Sequence, residues 1–353
     1  MESIKTASYQ VHFNASAVTA LQTHLNKAGY SRLFVLVDEN TQRDCLKPFL
    51  KFFNNITEYE LLQIASGEEH KNIASCLQLW KELSEKGADR KSLLINLGGG
   101  VLTDLGGFVA STFKRGIAFI NIPTTLLAMV DASIGGKTGV DLGALKNQVG
   151  VINQPEMVLI FDDFLKTLEQ RQLQSGFAEM LKHGLIRSRP YWQELKNLRS
   201  LGQITPYISE SVRIKNEVVL QDPREEHLRK ILNFGHTLGH AIESYFLSED
   251  SRMPLLHGEA IAIGMVLEAY LSHKLCGLDI RAVDEIRETF RRWYPKVLIS
   301  ERETKQILDL LIFDKKNTHG RINFVLLSDI GEPVIDVTVP SDLFEEAFAY
   351  YRE

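Results

Sequence analysis

Short apolar runs alternate with stretches of helical spacing over the first 155 residues. Residues 32–38 (RLFVLVD), 59–64 (YELLQI), 92–97 (SLLINL) and 117–122 (IAFINI) read as buried strands, because short β-rich runs of mainly apolar residues suit strands covered on both faces. Between them, residues 71–86 repeat apolar side chains at Ile73, Leu77, Trp80 and Leu83, the spacing of one helix face. The alternation predicts an α/β domain on a mainly parallel sheet over residues 1–155. After Pro155 the texture changes to long helical patterns at 171–186, 208–220, 228–247 and 258–275, which predict a mainly α-helical domain over 156–353. Residues 321–327 and 334–338 read as a strand pair near the end, and no repeat or low-complexity tract interrupts the chain.

Composition narrows the class. A chain of 353 residues suits two domains of about 150 residues each. With 44% hydrophobic and 24% charged residues it has the makings of a folded protein rather than a disordered one. Forty Lys plus Arg against 45 Asp plus Glu leave a net charge of −5, without the basic excess that nucleic acid or an anionic membrane surface demands. Neither is an expected partner. Three scattered cysteines, Cys45, Cys76 and Cys276, fit neither a disulfide framework nor a thiolate zinc site, so a reducing cytoplasm is expected. The first residues, MESIKTAS, do not read as a secretion signal, and no run of 18 apolar residues reads as a membrane span.

Two residue types are unevenly spread. Eleven of the 24 glycines lie between Gly98 and Gly150, and five of the ten histidines between His227 and His273. The strand at 92–97 runs into GGGVLTDLGG and then a helical pattern, an arrangement that can set backbone N–H groups against a pyrophosphate. Thr103 stands where the third glycine of G-x-G-x-x-G belongs, so the ordinary Rossmann fingerprint is not met, and a simple packing turn is the other reading. The segment DASIGGKTG at 131–139 resembles a P-loop but has Asp131 where that motif needs glycine, which argues against an NTPase. Lys137, Lys146 and Asn147 remain as donors for an anionic ligand, or as solvated residues of a glycine-rich surface loop.

In the helical half, Arg229, Asn233, His236, His240 and Glu243 follow at steps of 4, 3, 4 and 3, which predicts one polar face on a single helix. Two histidines at i and i+4 have metal-ligand spacing, and His257 in LHGE is a third candidate. Glu179 in GFAEMLKHG is the candidate carboxylate; with Lys182 three residues on it also fits a surface ion pair, while Met180 and Leu181 pack inward. A Glu and His set without cysteine leaves coordination positions open, as catalytic zinc sites do.

Together, GGGVLTD at 98–104, PTTLLAMVDASIGGKT at 123–138, AEMLK at 178–182, NFGHTLGHAIE at 233–243 and LHGE at 256–259 resemble the 3-dehydroquinate synthases over nearly the whole chain. The resemblance implies an α/β N-terminal nucleotide-binding domain plus a mainly α-helical C-terminal metal-binding domain, with NAD and one Zn2+ or Co2+ per chain. It implies Glu179, His236 and His257 as metal ligands and puts His240 on the substrate side, a division that spacing alone leaves open. NAD is implied near Asn40, Glu68, Lys71, Gly99, Gly100, Val101, Leu102, Thr103, Asp104, Thr124, Thr125, Asp131 and Thr167, with Lys137 and Lys146 around the nicotinamide and substrate. Asn147, Lys182, Lys215, Arg229, Asn233, His240 and Lys315 or Lys316 are implied to hold a sugar acid phosphate, with Lys137, Lys182, Lys215, Arg229, Asn233 and His240 as the catalytic set. Arg115 is implied to reach a neighbouring subunit's site in a homodimer.

The implied reaction turns 3-deoxy-D-arabino-heptulosonate 7-phosphate into 3-dehydroquinate and phosphate by transient oxidation with NAD, phosphate elimination, re-reduction, ring opening and aldol closure. The substrate's own phosphate assists proton removal, which leaves the protein mainly positioning and electrostatics. One stretch departs from the pattern: residues 139–147 (GVDLGALKN) lack the Pro and Gly that many relatives carry ahead of the Lys-Asn pair. A sister sugar phosphate cyclase making an aminocyclitol precursor is therefore one alternative, against which Lys215, Asn233 and His240 speak. An NAD- and metal-dependent alcohol or glycerol dehydrogenase is the other; it would accumulate NADH and has less use for so many anion-binding cations.

Overall fold

A computed structural model describes residues 1–53, 58–143, 145–311 and 322–353. The strands are β1 (Ile4–Lys5), β2 (Gln10–Phe13), β3 (Leu33–Val37), β4 (Glu60–Gln63), β5 (Leu93–Gly98), β6 (Ala118–Pro123), β7 (Lys137–Leu142), β8 (Leu145–Ile152), β9 (Val158–Ile160), β10 (Asn323–Asp329) and β11 (Glu332–Thr338). The α-helices among the described residues are α1 (Ala15–Ala28), α2 (Glu39–Thr41), α3 (Lys47–Lys51), α4 (Ile73–Glu85), α5 (Gly100–Thr112), α6 (Gln170–Arg187) and α7 (Arg189–Lys196), then α8 (Thr205–Gln221), α9 (His236–Ser248), α10 (His257–Cys276), α11 (Ile280–Trp293), α12 (Glu301–Leu310) and α13 (Asp342–Arg352).

Two compact units result, Met1–Leu173 with Thr205–Asn216, and Gln174–Ile204 with Glu217–Glu353. The break drawn at Pro155 therefore falls inside the first unit. Pro155 ends the stretch after β8, but β9 follows it and pairs in parallel with β2 and β6, so the sheet is not yet complete there. Three buried residues, Val158–Ile160, are too short a run to declare a strand from sequence.

The first unit is an α/β fold. Its seven-stranded sheet has the order β1-β2-β9-β6-β5-β3-β4, parallel throughout except for the β1–β2 pair. All of β5 and nearly all of β3 and β6 are buried, as their apolar runs require. Where β5 and β6 carry a polar residue in register, Asn96 Nδ2 donates to Asn121 Oδ1 at 2.9 Å, so neither amide is buried alone. On one face α4 and α5 pack through Cys76, Leu79, Leu83, Leu105, Phe108 and Val109. The α4 stripe differs from the expected one: Ile73 and Leu77 are 42% and 49% exposed, and Cys76 and Leu79 turn inward with Leu83. A separate antiparallel hairpin, β7–β8, occupies the segment read as a glycine-rich loop. Gly139 and Gly150 face each other across it, and a Cβ on Gly139 would stand 2.6 Å from the Val149 carbonyl oxygen.

The second unit is mainly helical, closed by the antiparallel β10–β11 hairpin that the sequence predicted. Its central helix, α10, is buried over most of its length. The single helix expected over 228–247 is instead a 3₁₀ turn, Leu228–Asn233, followed by α9. Gly235 breaks it at φ 78, a conformation that favours glycine. Arg229 and Asn233 accordingly leave the polar stripe, while His236, His240 and Glu243 keep it on α9.

Candidate active site

Within the first unit, most of the implied cofactor residues follow the carboxyl ends of parallel strands. Asn40 follows β3, Glu68 and Lys71 follow β4, residues 99–104 follow β5, Thr124 and Thr125 follow β6, and Thr167 follows β9. From β3 the chain moves outward to β4 and then returns to β5 on the other side of β3, which opens a crevice at that switch point, the place where α/β sheets bind ligands. Gly99 caps α5 without a side chain, so the amides of its first turn are available to an anion. The glycines also have a packing cause. A Cβ on Gly99 would stand 3.0 Å from Thr125 Cγ2, and one on Gly100 3.3 Å from Ala132 Cβ. Packing therefore accounts for these glycines, and the same turn leaves the first amides of α5 without a side-chain cap.

Charge is concentrated beside this edge. Buried Lys71 donates to Asp104 Oδ2 at 2.6 Å and to Asn147 Oδ1 at 2.7 Å. Burial opposes its charge, but Asp104, Glu68 and Asp141 outweigh burial and push the ammonium's pKa up. Asn147 sits at φ 52, where Asp141 Oδ1 accepts its backbone N–H at 2.6 Å. The Lys-Asn pair is thus shaped by Asp141 and Lys71, without the Pro and Gly missing from residues 139–147. Lys146 lies 3.4 Å from Glu68 Oε1, and Lys215 lies 2.7 Å from Asp131 Oδ1. Lys137 opens β7 with its side chain exposed. Arg115, exposed and at φ 71, lies beyond the opposite end of α5 from Gly100, about 20 Å along the helix axis at 1.5 Å per residue.

The metal-ligand candidates meet inside the second unit. α6 supplies Glu179, α9 supplies His236 and His240, and α10 begins with His257. Glu179 Oε1 is 3.5 Å from His236 Nε2 and 3.6 Å from His257 Nε2. Ligand atoms around a tetrahedral ion with bonds of ~2.1 Å stand about 3.4 Å apart, a spacing that both approaches to Glu179 match. His236 Nδ1 lies 3.1 Å from the Phe234 carbonyl and donates to it, which turns the Nε2 lone pair toward Glu179. His257 Nδ1 lies 3.3 Å from Glu243 Oε2, a carboxylate–histidine pairing of the kind that orients metal ligands. The nitrogens of His236, His240 and His257 also come within 4.8 Å of one another, so His240 borders the same place.

One correction follows from burial. Glu179 and Lys182 do form an ion pair, but at 0% and 1% side-chain exposure it is a core pair and not a surface one. Lys182 engages Glu179 Oε2 and leaves Oε1 to the histidines. Burial alone would lower the His257 pKa; Glu243 and Glu179 outweigh it and raise it to about 9.

Arg229 and Asn233 are fixed apart from the stripe. The buried Arg229 guanidinium donates to the Pro223 carbonyl at 2.7 Å, and Asn233 Nδ2 donates to Glu225 Oε1 at 2.8 Å. Asp222 accepts backbone N–H groups from Glu226, His227 and Arg229, which set the loop. Lys315 and Lys316 lie outside the described residues. Sequence reasoning put Glu243 on the polar stripe without a role of its own, assigned no part to Asp141, and passed over Glu268, the one carboxylate inside the apolar run 260–269, an unevenness that was there to be read.

A nucleotide-type sheet edge in one unit and a Glu and His cluster in the other define a class, the sugar phosphate cyclase fold. The chain superposes on a 2-deoxy-scyllo-inosose synthase complexed with carbaglucose-6-phosphate, NAD+ and Co2+, with TM-score 0.86 and 24% identity over 99% of each chain. It superposes on the 2-epi-5-epi-valiolone synthase of Streptomyces hygroscopicus subsp. jinggangensis, with NAD+ and Zn2+ bound, at TM-score 0.83 and 26% identity over 100% of this chain and 99% of that one. Residues 61–175 match the 3-dehydroquinate synthase N-terminal profile and residues 176–317 the 3-dehydroquinate synthase C-terminal profile, a junction close to the Leu173/Gln174 division. The 3-dehydroquinate synthase of Parabacteroides distasonis is 42% identical over 337 residues, 94% of this chain and 95% of that protein. The chain belongs to the 3-dehydroquinate synthase family.

Proposed function

We propose that the chain converts 3-deoxy-D-arabino-heptulosonate 7-phosphate into 3-dehydroquinate and inorganic phosphate, a carbon–oxygen lyase reaction of the shikimate route to chorismate and the aromatic amino acids. The observation that carries this reading is the trio of buried Glu179, buried His236 and half-buried His257, with Glu179 Oε1 3.5 and 3.6 Å from the two Nε2 atoms, in a chain 42% identical to a dehydroquinate synthase over nearly its whole length. Identity to the sister cyclases is lower, 24–26%, which favours dehydroquinate as product.

Glu179, His236 and His257 would hold Zn2+ or Co2+, and the strand ends of the first unit would hold NAD. When bound, the ion supplies Lewis acidity toward a substrate hydroxyl, and NAD supplies a hydride acceptor that becomes a donor again within the turnover. Lys182 engages the second oxygen of Glu179 in the core and leaves the first to the two histidines. Phe234 and Glu243 keep the Nε2 atoms of His236 and His257 turned toward Glu179. Lys215, buried, is held on Asp131. Arg229, Asn233 and the lysines supply fixed donors for the substrate's carboxylate and phosphate oxygens, and His240 stands on the substrate side of the ligand trio. The mildly acidic net charge is no obstacle, because local placement of cations decides the binding of a small anion.

A homodimer is part of the same reading. It is supported by Arg115, set at the far end of α5, and by Leu142, Val151 and Ile152, apolar side chains exposed on the β7–β8 hairpin. No helix among the described residues is long and apolar enough to cross a membrane, and a cytoplasmic setting is proposed from the three free cysteines.

The test is incubation of the purified chain with the heptulosonate phosphate, catalytic NAD and Co2+, with phosphate and organic product followed together. One phosphate and one dehydroquinate per substrate, lost on chelation and restored by Co2+, are expected. Another carbocycle as product would move the chain to a sister cyclase. Net NADH with a simple polyol and no phosphate release would make it a dehydrogenase.

A further inference from the structure

Glu268 sits in the middle of α10 at 0% exposure, beside Met265, Val266, Leu267, Ala269 and Leu271. A carboxylate there is costly to desolvate unless hydrogen-bonded, and an apolar side chain would fill the space at less cost. Its oxygens face the start of the neighbouring helix. Oε2 accepts the Gly235 N–H at 2.6 Å and Oε1 accepts the Leu238 N–H at 3.2 Å, so a negative group lies at the positive end of α9.

The segment held in this way contains His236. Gly235 is at φ 78, and Phe234 just before it provides the carbonyl on which His236 Nδ1 rests. One turn before Glu268, Gly264 presses on the same joint: a Cβ there would collide with the Gly235 carbonyl oxygen. One turn after it, Ser272 Oγ donates to the Glu268 carbonyl at 2.6 Å and accepts the Leu327 N–H at 2.9 Å, which ties the helix to β10. α10 itself begins with His257. The helix that carries one candidate ligand therefore clamps the turn that aims the other.

We infer that Glu268 is a positioning residue for the metal site: by locking the first turn of α9 to α10 it holds His236 and His257 in the register that serves one ion. The inference rests on the metal reading proposed above for Glu179, His236 and His257. An ordinary helix cap would stabilise α9 without affecting that register, and the two roles separate by experiment.

The test is Co2+ titration of the metal-free full chain as wild type, His257→Ala and Glu268→Gln, with the visible Co2+ spectrum and the metal-free melting temperature recorded for each. Gln keeps the size of Glu but sets an NH2 group against one of the two backbone N–H donors. Glu268→Gln is expected to bind Co2+ roughly ten- to a hundred-fold more weakly, with an altered spectrum. Wild-type affinity and spectrum in that variant, with only a lower melting temperature, would overturn the inference and leave the metal reading standing. Absence of Co2+ binding in wild type, or unchanged binding in His257→Ala, would overturn the metal reading and this inference with it. Should Glu268→Gln not fold, amide hydrogen exchange on the wild type decides: Gly235 and Leu238 are expected to exchange as slowly as the buried core, and more slowly with Co2+ bound. Fast exchange at those two amides would overturn the clamp.

Discussion

The sheet edge of the first unit and the cluster of the second are built in opposite ways. At the edge, residues arrive from loops after five strands, and much of the offered surface is backbone: the amides opening α5 and the turn after β5. Its charges are balanced in pairs, Lys71 with Asp104, Lys146 with Glu68 and Lys215 with Asp131. In the cluster, side chains from three helices converge, and each is aimed by another group: Glu179 by Lys182, His236 by Phe234, His257 by Glu243. A site assembled from many loop contributions loses affinity gradually as contacts are removed. A trio of side chains around one ion fails when any member is lost.

The sharpest break of that contrast is His257→Ala. Metal content is expected to fall to background and turnover by on the order of a thousandfold or more, read by metal analysis and phosphate release. A variant with full metal content would defeat the ligand assignment. Lys71→Met comes next. It strands Asp104 beside Glu68 and Asp141, and should cost about 3 kcal/mol of stability in denaturant titrations and weaken NAD binding roughly tenfold, with Co2+ affinity unchanged. A loss of Co2+ affinity in that variant would blur the division of labour. Glu243→Gln should weaken Co2+ by about tenfold with NAD binding intact, since it removes an orienting carboxylate and no ligand.

The smallest effect concerns the loop that carries Arg229. Burial alone would raise the Asp222 pKa, but three backbone N–H donors outweigh it and hold the carboxyl below its usual value. Stability from such a group is present above its unfolded value of about 3.9 and is lost as pH falls through the folded one. Asp222→Asn should therefore be less stable than wild type by about 1–2 kcal/mol at neutral pH, with the difference closing below about pH 4 in thermal melts. A difference that persists at low pH would assign the effect to shape rather than charge.

How much of this was legible in the sequence depended on period and length. The buried strands β3, β5 and β6 were plain because short apolar runs survive any tertiary context; β4 was found but is an edge strand with only Leu62 buried, β9 was too short, and β7–β8 was masked by its glycines. The α4 stripe was misplaced because Ile73 and Leu77 keep helical spacing while facing outward. Clustering of histidines marked a candidate metal place, but spacing could not choose between His240 and His257; in the structure Glu179 Oε1 stands 3.5 and 3.6 Å from His236 and His257, and all three histidines come together. The polar stripe failed at Arg229 and Asn233 because Gly235, at positive φ, ends one turn before α9 begins. Burial of the Glu179–Lys182 pair was likewise invisible, since an i, i+3 ion pair has the same spacing in the core as on the surface.

The claim that a nucleotide edge and a metal cluster serve one reaction is tested most directly by a single turnover of the Co2+-loaded chain with stoichiometric NAD and the heptulosonate phosphate. Reduced-nicotinamide absorbance and phosphate are followed in the same stopped-flow trace. The account predicts a transient rise in reduced nicotinamide that decays to zero as one equivalent of phosphate appears. Reduced nicotinamide that rises to a stable plateau with no phosphate released would contradict it.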